Sequence, residues 1–97
     1  MNKDFYNRFL DIGDRSKAVC DLASLGEEGV SIVRDLLNGH AKNKYGVPYC
    51  EFGIAVDCAI VAADRLRYNG VLLDDVIELI KSKYKEHMYT KEFFSEK

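Results

Sequence analysis

The sequence predicts an all-α fold, a compact bundle of about five helices built from two antiparallel helical hairpins. Apolar side chains recur at intervals of three and four residues through most of the chain, which is the period of an amphipathic helix. The apolar pattern of GEEGVSIVRDLLNG also recurs 43 residues later in GVLLDDVIELIKSK, so each hairpin has a counterpart. No long alternation of apolar and polar residues predicts a strand, and the best candidate for extended structure is VPYCEF at 47–52.

Two helices are predicted before residue 26. The first spans residues 2–12 and ends at Gly13. Asp14 or Ser16 can cap the second helix, because a side-chain oxygen can accept a hydrogen bond from the first free backbone N–H groups. A Leu-Gly pair at 25–26 ends this helix, since glycine tolerates the backbone conformation that follows a helix.

The third helix begins at Glu27 or Glu28, whose carboxylates suit the positive end of the helix dipole. It runs to Leu37, and the Asn-Gly pair that follows closes it. Residues 40–53 then break the helical period and contain the only proline of the chain, so we expect a single long loop there. Loops of this length are commonly functional or mobile.

The fourth helix is predicted over residues 54–68. Its small residues Ala55, Ala59 and Ala63 lie on one face, where a neighbouring helix can approach closely. The fifth helix is predicted from residue 72 to about residue 88, and the tail that follows either docks through its two phenylalanines or frays.

Length and composition limit the class of protein. A chain of 97 residues predicts one domain, covering residues 1–97. No apolar run approaches the roughly 20 residues needed to span a bilayer, and the N-terminal residues do not resemble a signal peptide. The three cysteines have no paired spacing, and Cys20 and Cys58 fall on apolar helix faces, where buried free thiols are expected. We therefore expect a cytoplasmic protein with no membrane association.

Although the formal net charge is only −2, the middle of the sequence is acidic. Residues 18–80 carry ten carboxylates against five basic side chains, whereas both ends of the chain are slightly basic. An acidic surface repels phosphates, so nucleic acid is not the expected partner. A basic protein would instead be attracted to such a surface. The alternative interpretation is a set of ordinary solvated helix faces.

Residues that could carry catalysis or bind a metal are few and scattered. The candidate metal ligands are His40, His87 and the three cysteines, and their spacings match no zinc site. Cys50 with His40 is the only pair that could supply an activated nucleophile, and its spacing matches no family signature. The common glycine-rich phosphate-binding motifs are missing. The sequence therefore predicts a protein that is not an enzyme and has no metal site or cofactor.

Acidic residues of the fourth and fifth helices are the first candidates for a binding site. They are expected to form an exposed strip that attracts lysines and arginines of a partner, and they are Asp57, Asp64, Asp74, Asp75 and Glu78. For the two aspartates of the fourth helix, the alternative is pairing with one of three arginines of this chain: Arg34, Arg65 or Arg67.

Aromatic residues of the predicted loop are the second candidates. Tyr45, Tyr49 and Phe52 lie within eight positions of each other, and aromatic side chains supply large contact areas at protein interfaces. The alternative is that they fasten the loop to the bundle, in which case they belong to the core.

The segment CDLASLGEEGVSIVRDLLNG resembles a HEAT-type helical hairpin. Leu22, Ala23 and the Leu-Gly pair end its first helix, and the apolar stripe of its second helix contains Val30, Val33, Leu36 and Leu37. The resemblance implies that each hairpin buries this stripe against its neighbour, as in HEAT and armadillo arrays, and that the protein binds a partner.

The overall profile is similar to that of immunity proteins of bacterial toxin systems, including contact-dependent growth inhibition. This resemblance implies a partner that is a basic toxin domain, often a nuclease, whose active site is blocked where it would hold phosphate. The acidic strip would supply the charge, and the loop aromatics would supply the packed centre. The alternative is a small regulatory or scaffold protein that holds a peptide or helix in the groove between its hairpins.

Overall fold

A computed structural model describes the backbone of residues 2–38 and 49–84 and the side chains of residues 5–38 and 52–84. It contains five helices, and no strand lies in these ranges, which confirms the predicted all-α bundle. The helices are α1 (Asn2–Leu10), α2 (Arg15–Ala23), α3 (Glu27–Asn38), α4 (Tyr49–Tyr68) and α5 (Asp74–Lys83).

Helix α4 is the centre of the bundle. Its 20 residues make a helix about 30 Å long, and it packs most extensively against α2 and α3 and also against α1. The predicted small face is buried, and Ala55, Ala59 and Ala63 are almost fully inaccessible. Because these side chains are methyl groups, the backbones of neighbouring helices can lie close to α4.

Helix α5 is fastened to α3 at both of its ends. At its start, Arg34 Nε lies 2.6 Å from an Asp75 carboxylate oxygen. At its end, Tyr84 Oη donates a 2.8 Å hydrogen bond to the backbone oxygen of Leu37. Val76 and Ile80 are fully buried between these two contacts. The carboxylates on the other side of α5 are therefore held in fixed positions relative to α3.

The beginning of α4 differs from the prediction. Residues 49–53 are helical, so the predicted loop of 40–53 is wrong over that part, and so is the candidate strand of 47–52 where it overlaps the helix. The physical reason is that Phe52 buries its ring on the same stripe as Ala55 and Ala59, which extends the helical period backwards. Proline directly before the helix is also favourable in sequence, because its fixed φ suits a first helical turn.

Smaller differences concern α1 and α5. Helix α1 ends at Leu10 because the Asp11 side chain accepts a hydrogen bond from the backbone N–H of Gly13 at 3.0 Å and forms a turn. Ile12 lies outside the helix and is 82% exposed. Helix α5 is described to Lys83, and the predicted continuation to residue 88 lies outside the described residues.

An ionic cluster connects α1 to α2. Arg8 donates to Asp14 at 2.7 Å and to Asp21 at 2.9 Å, and Lys17 donates to Asp21 at 3.2 Å. Asp14 precedes α2 as predicted, but its side chain makes no capping hydrogen bond because it is bonded to Arg8. The other predicted cap, Ser16, lies inside the helix.

The Arg8 cluster predicts an acid-sensitive contribution to stability. Hydrogen bonds from Arg8 lower the pKa of Asp14 and of Asp21 below the usual aspartate range. A carboxyl whose folded pKa is lowered stabilises the protein above its unfolded pKa, about 4. This contribution is lost as the pH falls through the folded value. We expect Arg8→Gln to melt below the wild type at pH 7 and the two melting temperatures to converge near pH 2.

Thermal melts followed by circular dichroism at pH 7, 4 and 2 test this prediction. Lys17→Gln is the control, because Lys17 is largely exposed and its ion pair with Asp21 should contribute little. A melting-temperature difference between wild type and Arg8→Gln that stays constant down to pH 2 would contradict it.

Candidate functional site

The five predicted carboxylates do not form one continuous strip. Asp57 and Asp64 lie on the side of α4 that faces α2. The other three, Asp74, Asp75 and Glu78, are on α5, which packs against α3. Asp64 accepts a 2.7 Å hydrogen bond from Arg67, so the alternative interpretation, pairing within the chain, holds for this residue. The structure thus offers two separate surfaces.

The first surface is formed by Asp74, Asp75 and Glu78, called here the α5 carboxylates. All three are exposed. Arg34 holds Asp75 through two nitrogen–oxygen contacts of 2.6 and 3.3 Å, which lowers the pKa of that carboxyl below its usual range. Asp74 and Glu78 lie four residues apart, hence on one face of α5. Neither forms an ion pair within the part of the chain that the structure describes.

The acidic excess of the chain is concentrated around these residues. Helices α3 and α5 carry six carboxylates against three basic side chains, Arg34, Lys81 and Lys83. Besides the α5 carboxylates, the acidic residues are Glu27, Glu28 and Asp35. A positively charged partner would therefore be attracted to this side of the bundle.

Two exposed apolar side chains lie at the end of α4 and in the connection that follows it. Tyr68 is 91% exposed at the last position of α4, and Leu72 is 82% exposed two residues before α5. Neither residue is among those that the sequence pattern predicts for a binding site. The available signal was that Leu72 is out of phase with Leu73, Val76 and Ile80, which are buried at spacings of three and four.

Of the three aromatic residues predicted to lie in the loop, the structure describes the side chain of Phe52 alone. Phe52 is only 2% exposed, and its ring centroid lies 6.3 Å from that of Tyr6. Its side chain therefore belongs to the core, which corrects the expectation that it forms the packed centre of an interface. Tyr49 is the first residue of α4, but its side chain lies outside the described residues, as does the whole of Tyr45.

The second surface is a groove between α2 and α4, called here the α2–α4 groove. Its first part has a volume of about 300 Å³, and its floor contains Val19, Ile54 and Val61. Arg15 and Arg65 line the same space, together with Asp57 and the two cysteines Cys20 and Cys58. A second part of about 380 Å³ shares Cys20 and Arg65 with the first and reaches Tyr68 and Asn69 at the end of α4, and Asp64 also lines it.

The two cysteines of this groove differ in environment. Cys58 is buried as predicted, and burial raises the pKa of its thiol to about 11, so it is neutral at pH 7. Cys20 is exposed, contrary to the prediction of a buried thiol, and its sulfur accepts a 3.2 Å hydrogen bond from Arg65 Nη1. The reason is that Cys20 lies at the edge of the apolar face of α2, where the groove opens to solvent.

The predictions of no metal site and no activated nucleophile can be compared with the structure only for the described residues. Within residues 5–38 and 52–84, no three His, Cys, Asp or Glu side chains are grouped so that they could hold a metal ion. His40, His87 and the Cys50 side chain lie outside the described residues. None of the described helices is both long enough and apolar enough to span a bilayer.

Comparisons with protein-family models, with curated proteins and with solved structures found no match for this chain. The α5 carboxylates and the α2–α4 groove, with their charges and exposed side chains, are therefore the features that point to a function.

Proposed function

We propose that this chain is a non-enzymatic protein-binding module that acts in the bacterial cytoplasm as an immunity protein. Its partner would be a basic toxin domain of the nuclease type. The observation that carries the proposal is the position of Tyr68 and Leu72, two large apolar side chains that are 91% and 82% exposed, before the acidic start of α5. The proposed contact surface consists of these two residues and the α5 carboxylates.

This combination of side chains suits binding to a basic protein. Nucleases use lysines and arginines to hold the phosphates of their substrates. Exposed carboxylates such as Asp74 and Glu78 can bind the same basic groups and so exclude the nucleic acid. Tyrosine is among the residue types that dominate binding energy at interfaces, because it buries a large area with few rotatable bonds.

The surface also requires little ordering when a partner binds. Arg34 fixes Asp75 at the start of α5, and the hydrogen bond from Tyr84 to Leu37 fixes the end of the helix. A preorganised surface loses less conformational entropy on association than a mobile one. This favours tight inhibition by direct coverage of an active site.

The test uses the protein encoded by the open reading frame adjacent to the gene for this chain. We expect this protein to bind the chain, to have nuclease activity that the chain inhibits, and to associate more slowly as the salt concentration rises. We expect Asp74→Lys with Glu78→Lys to weaken binding about tenfold or more, mainly through faster dissociation. Surface plasmon resonance at two salt concentrations gives both rates.

A matched control separates direct contact from long-range attraction. Glu27→Lys with Glu28→Lys makes the same change in net charge at the exposed start of α3. We expect this control to slow association and to leave dissociation nearly unchanged. The proposal fails if the adjacent protein does not bind, or if the α5 double variant retains wild-type affinity while it stays folded.

A further inference from the structure

We propose that the α2–α4 groove is a second docking site, which binds an acidic amphipathic helix of a partner protein. The groove reaches Tyr68 of the proposed toxin contact but contains none of the α5 carboxylates, and it has the opposite preference for charge. It therefore goes beyond the proposed toxin contact, and the residues that test it do not belong to that contact.

The ion pairs of the arginines favour an acidic ligand for the groove. The chain has five, and three of them form ion pairs with carboxylates: Arg8, Arg34 and Arg67. The remaining two, Arg15 and Arg65, have no carboxylate partner within the described residues, and both line the α2–α4 groove. Both guanidinium groups that lack an acidic partner among the described residues therefore lie at the α2–α4 groove.

Both guanidinium groups keep donors for a ligand. Arg15 Nε donates to the backbone oxygen of Phe9 at 2.6 Å, and Arg65 Nη1 donates to Cys20 Sγ at 3.2 Å. A guanidinium carries five N–H donors, so each side chain can still hold a carboxylate. Asp57 and Asp64 also line the groove, and Asp64 is paired with Arg67. Counted together with Arg67, the groove has three guanidinium groups and two carboxylates. This balance favours an acidic ligand.

The length and floor of the groove fit a helical peptide. Its two parts together follow α4 from Ile54 to Tyr68, which is about 21 Å of helix. That length suits a peptide segment of about four helical turns better than a single small molecule. The floor of Val19, Ile54 and Val61 can bury the apolar stripe of such a segment.

The spacing of the two arginines gives a more specific expectation. Arg65 bonds to Cys20, which lies five residues after Arg15 on α2, so positions 15 and 20 differ by about 7.5 Å of rise along that helix. Two carboxylates four residues apart on a partner helix are about 6 Å apart along its axis. The occupant is therefore expected to have Asp or Glu at positions i and i+4 beside its apolar stripe.

The experiment selects peptides from a random library of helical 16-residue peptides displayed on phage, with the folded chain as the target. The exposed thiol of Cys20 reports occupancy of the groove, and mass spectrometry measures its rate of alkylation with and without each selected peptide. We expect the selected peptides to carry acidic pairs at i and i+4 and to slow Cys20 alkylation at least about fivefold.

The key variant is Arg65→Gln, and the matched control is Arg34→Gln, which removes the same charge on α3. We expect Arg65→Gln to weaken peptide binding about tenfold or more, as loss of a charge-assisted hydrogen bond does. The control should bind like the wild type. Arg15 is left unchanged because its bond to Phe9 helps to hold α1.

Four outcomes would overturn the proposal. They are the failure to select any peptide, the selection of neutral or basic sequences, unchanged Cys20 alkylation in the bound state, and equal binding by the Arg65 and Arg34 variants. A fall in Cys20 alkylation with rising protein concentration, without peptide, would show a second copy of the chain in the groove and would also overturn it.

Discussion

Replacing Phe52 with alanine is expected to lower the free energy of unfolding by about 3–5 kcal/mol, the usual cost of removing a buried aromatic side chain. The ring is 2% exposed and packs beside that of Tyr6, so the substitution leaves a cavity where the first turns of α4 meet α1. Chemical denaturation with urea, followed by circular dichroism, measures the loss.

Tyr68→Ala is the natural control for this prediction. It removes an aromatic side chain from the other end of the same helix, where the ring is almost fully exposed. We expect a stability change within about 0.5 kcal/mol, as for other surface substitutions. If Phe52→Ala were as mild as Tyr68→Ala, Phe52 would not be a core residue and the predicted role of this aromatic in binding would be open again.

The second large loss of stability is expected from a substitution at Gly29, where α2, α3 and α4 meet. A Cβ atom added there would lie 2.5 Å from the backbone oxygen of Leu22 and 3.4 Å from Leu66 Cδ2. Alanine in a helix is favoured over glycine by about 1 kcal/mol, but overpacking typically costs 1–3 kcal/mol and here the obstacle is backbone. At the upper end of that range, the overpacking cost less the helix-propensity gain gives an expected net destabilisation by Gly29→Ala of about 2 kcal/mol.

Gly53→Ala is the matched control, because Gly53 lies within α4 and a Cβ atom added there meets nothing within 4 Å. We expect this change to stabilise the protein by about 0.5–1 kcal/mol, since alanine loses less conformational freedom on folding. Opposite signs for the two glycines in the same denaturation experiment support the close approach at Gly29. A stabilised Gly29→Ala protein would contradict it.

The parts of the fold that the sequence predicts are those whose apolar residues have an uninterrupted helical period. Helix α3 is an example, because Val30, Val33 and Leu37 are all buried on one face. The start of α4 is harder, since a proline and two glycines surround it and each signals a break. Only the burial of Phe52 against α1 shows that the helical period already begins there.

For the candidate site, the sequence predicts the types of residue involved but not the contacts that they make. The sequence identifies the acidic residues, but which of them meet an arginine depends on contacts between distant segments. Arg34 and Asp75 are 41 residues apart, and Arg65 and Cys20 are 45 apart. The exposure of Tyr68 cannot be predicted from the sequence either, because a tyrosine at the end of a helix fits either a core or a surface position. The separation of the α5 carboxylates from the α2–α4 groove therefore emerges only from packing.

The central position of α4 also constrains how the chain can fold as it is synthesised. Helices α1, α2 and α3 make few contacts among themselves apart from the α1–α2 pair, and their apolar faces are buried chiefly by α4. Contacts between α4 and α1 join residues far apart in sequence, so their closure carries a larger entropic cost than local contacts do. During translation, the apolar stripes of α1, α2 and α3 therefore stay largely exposed to solvent until α4 has left the ribosome.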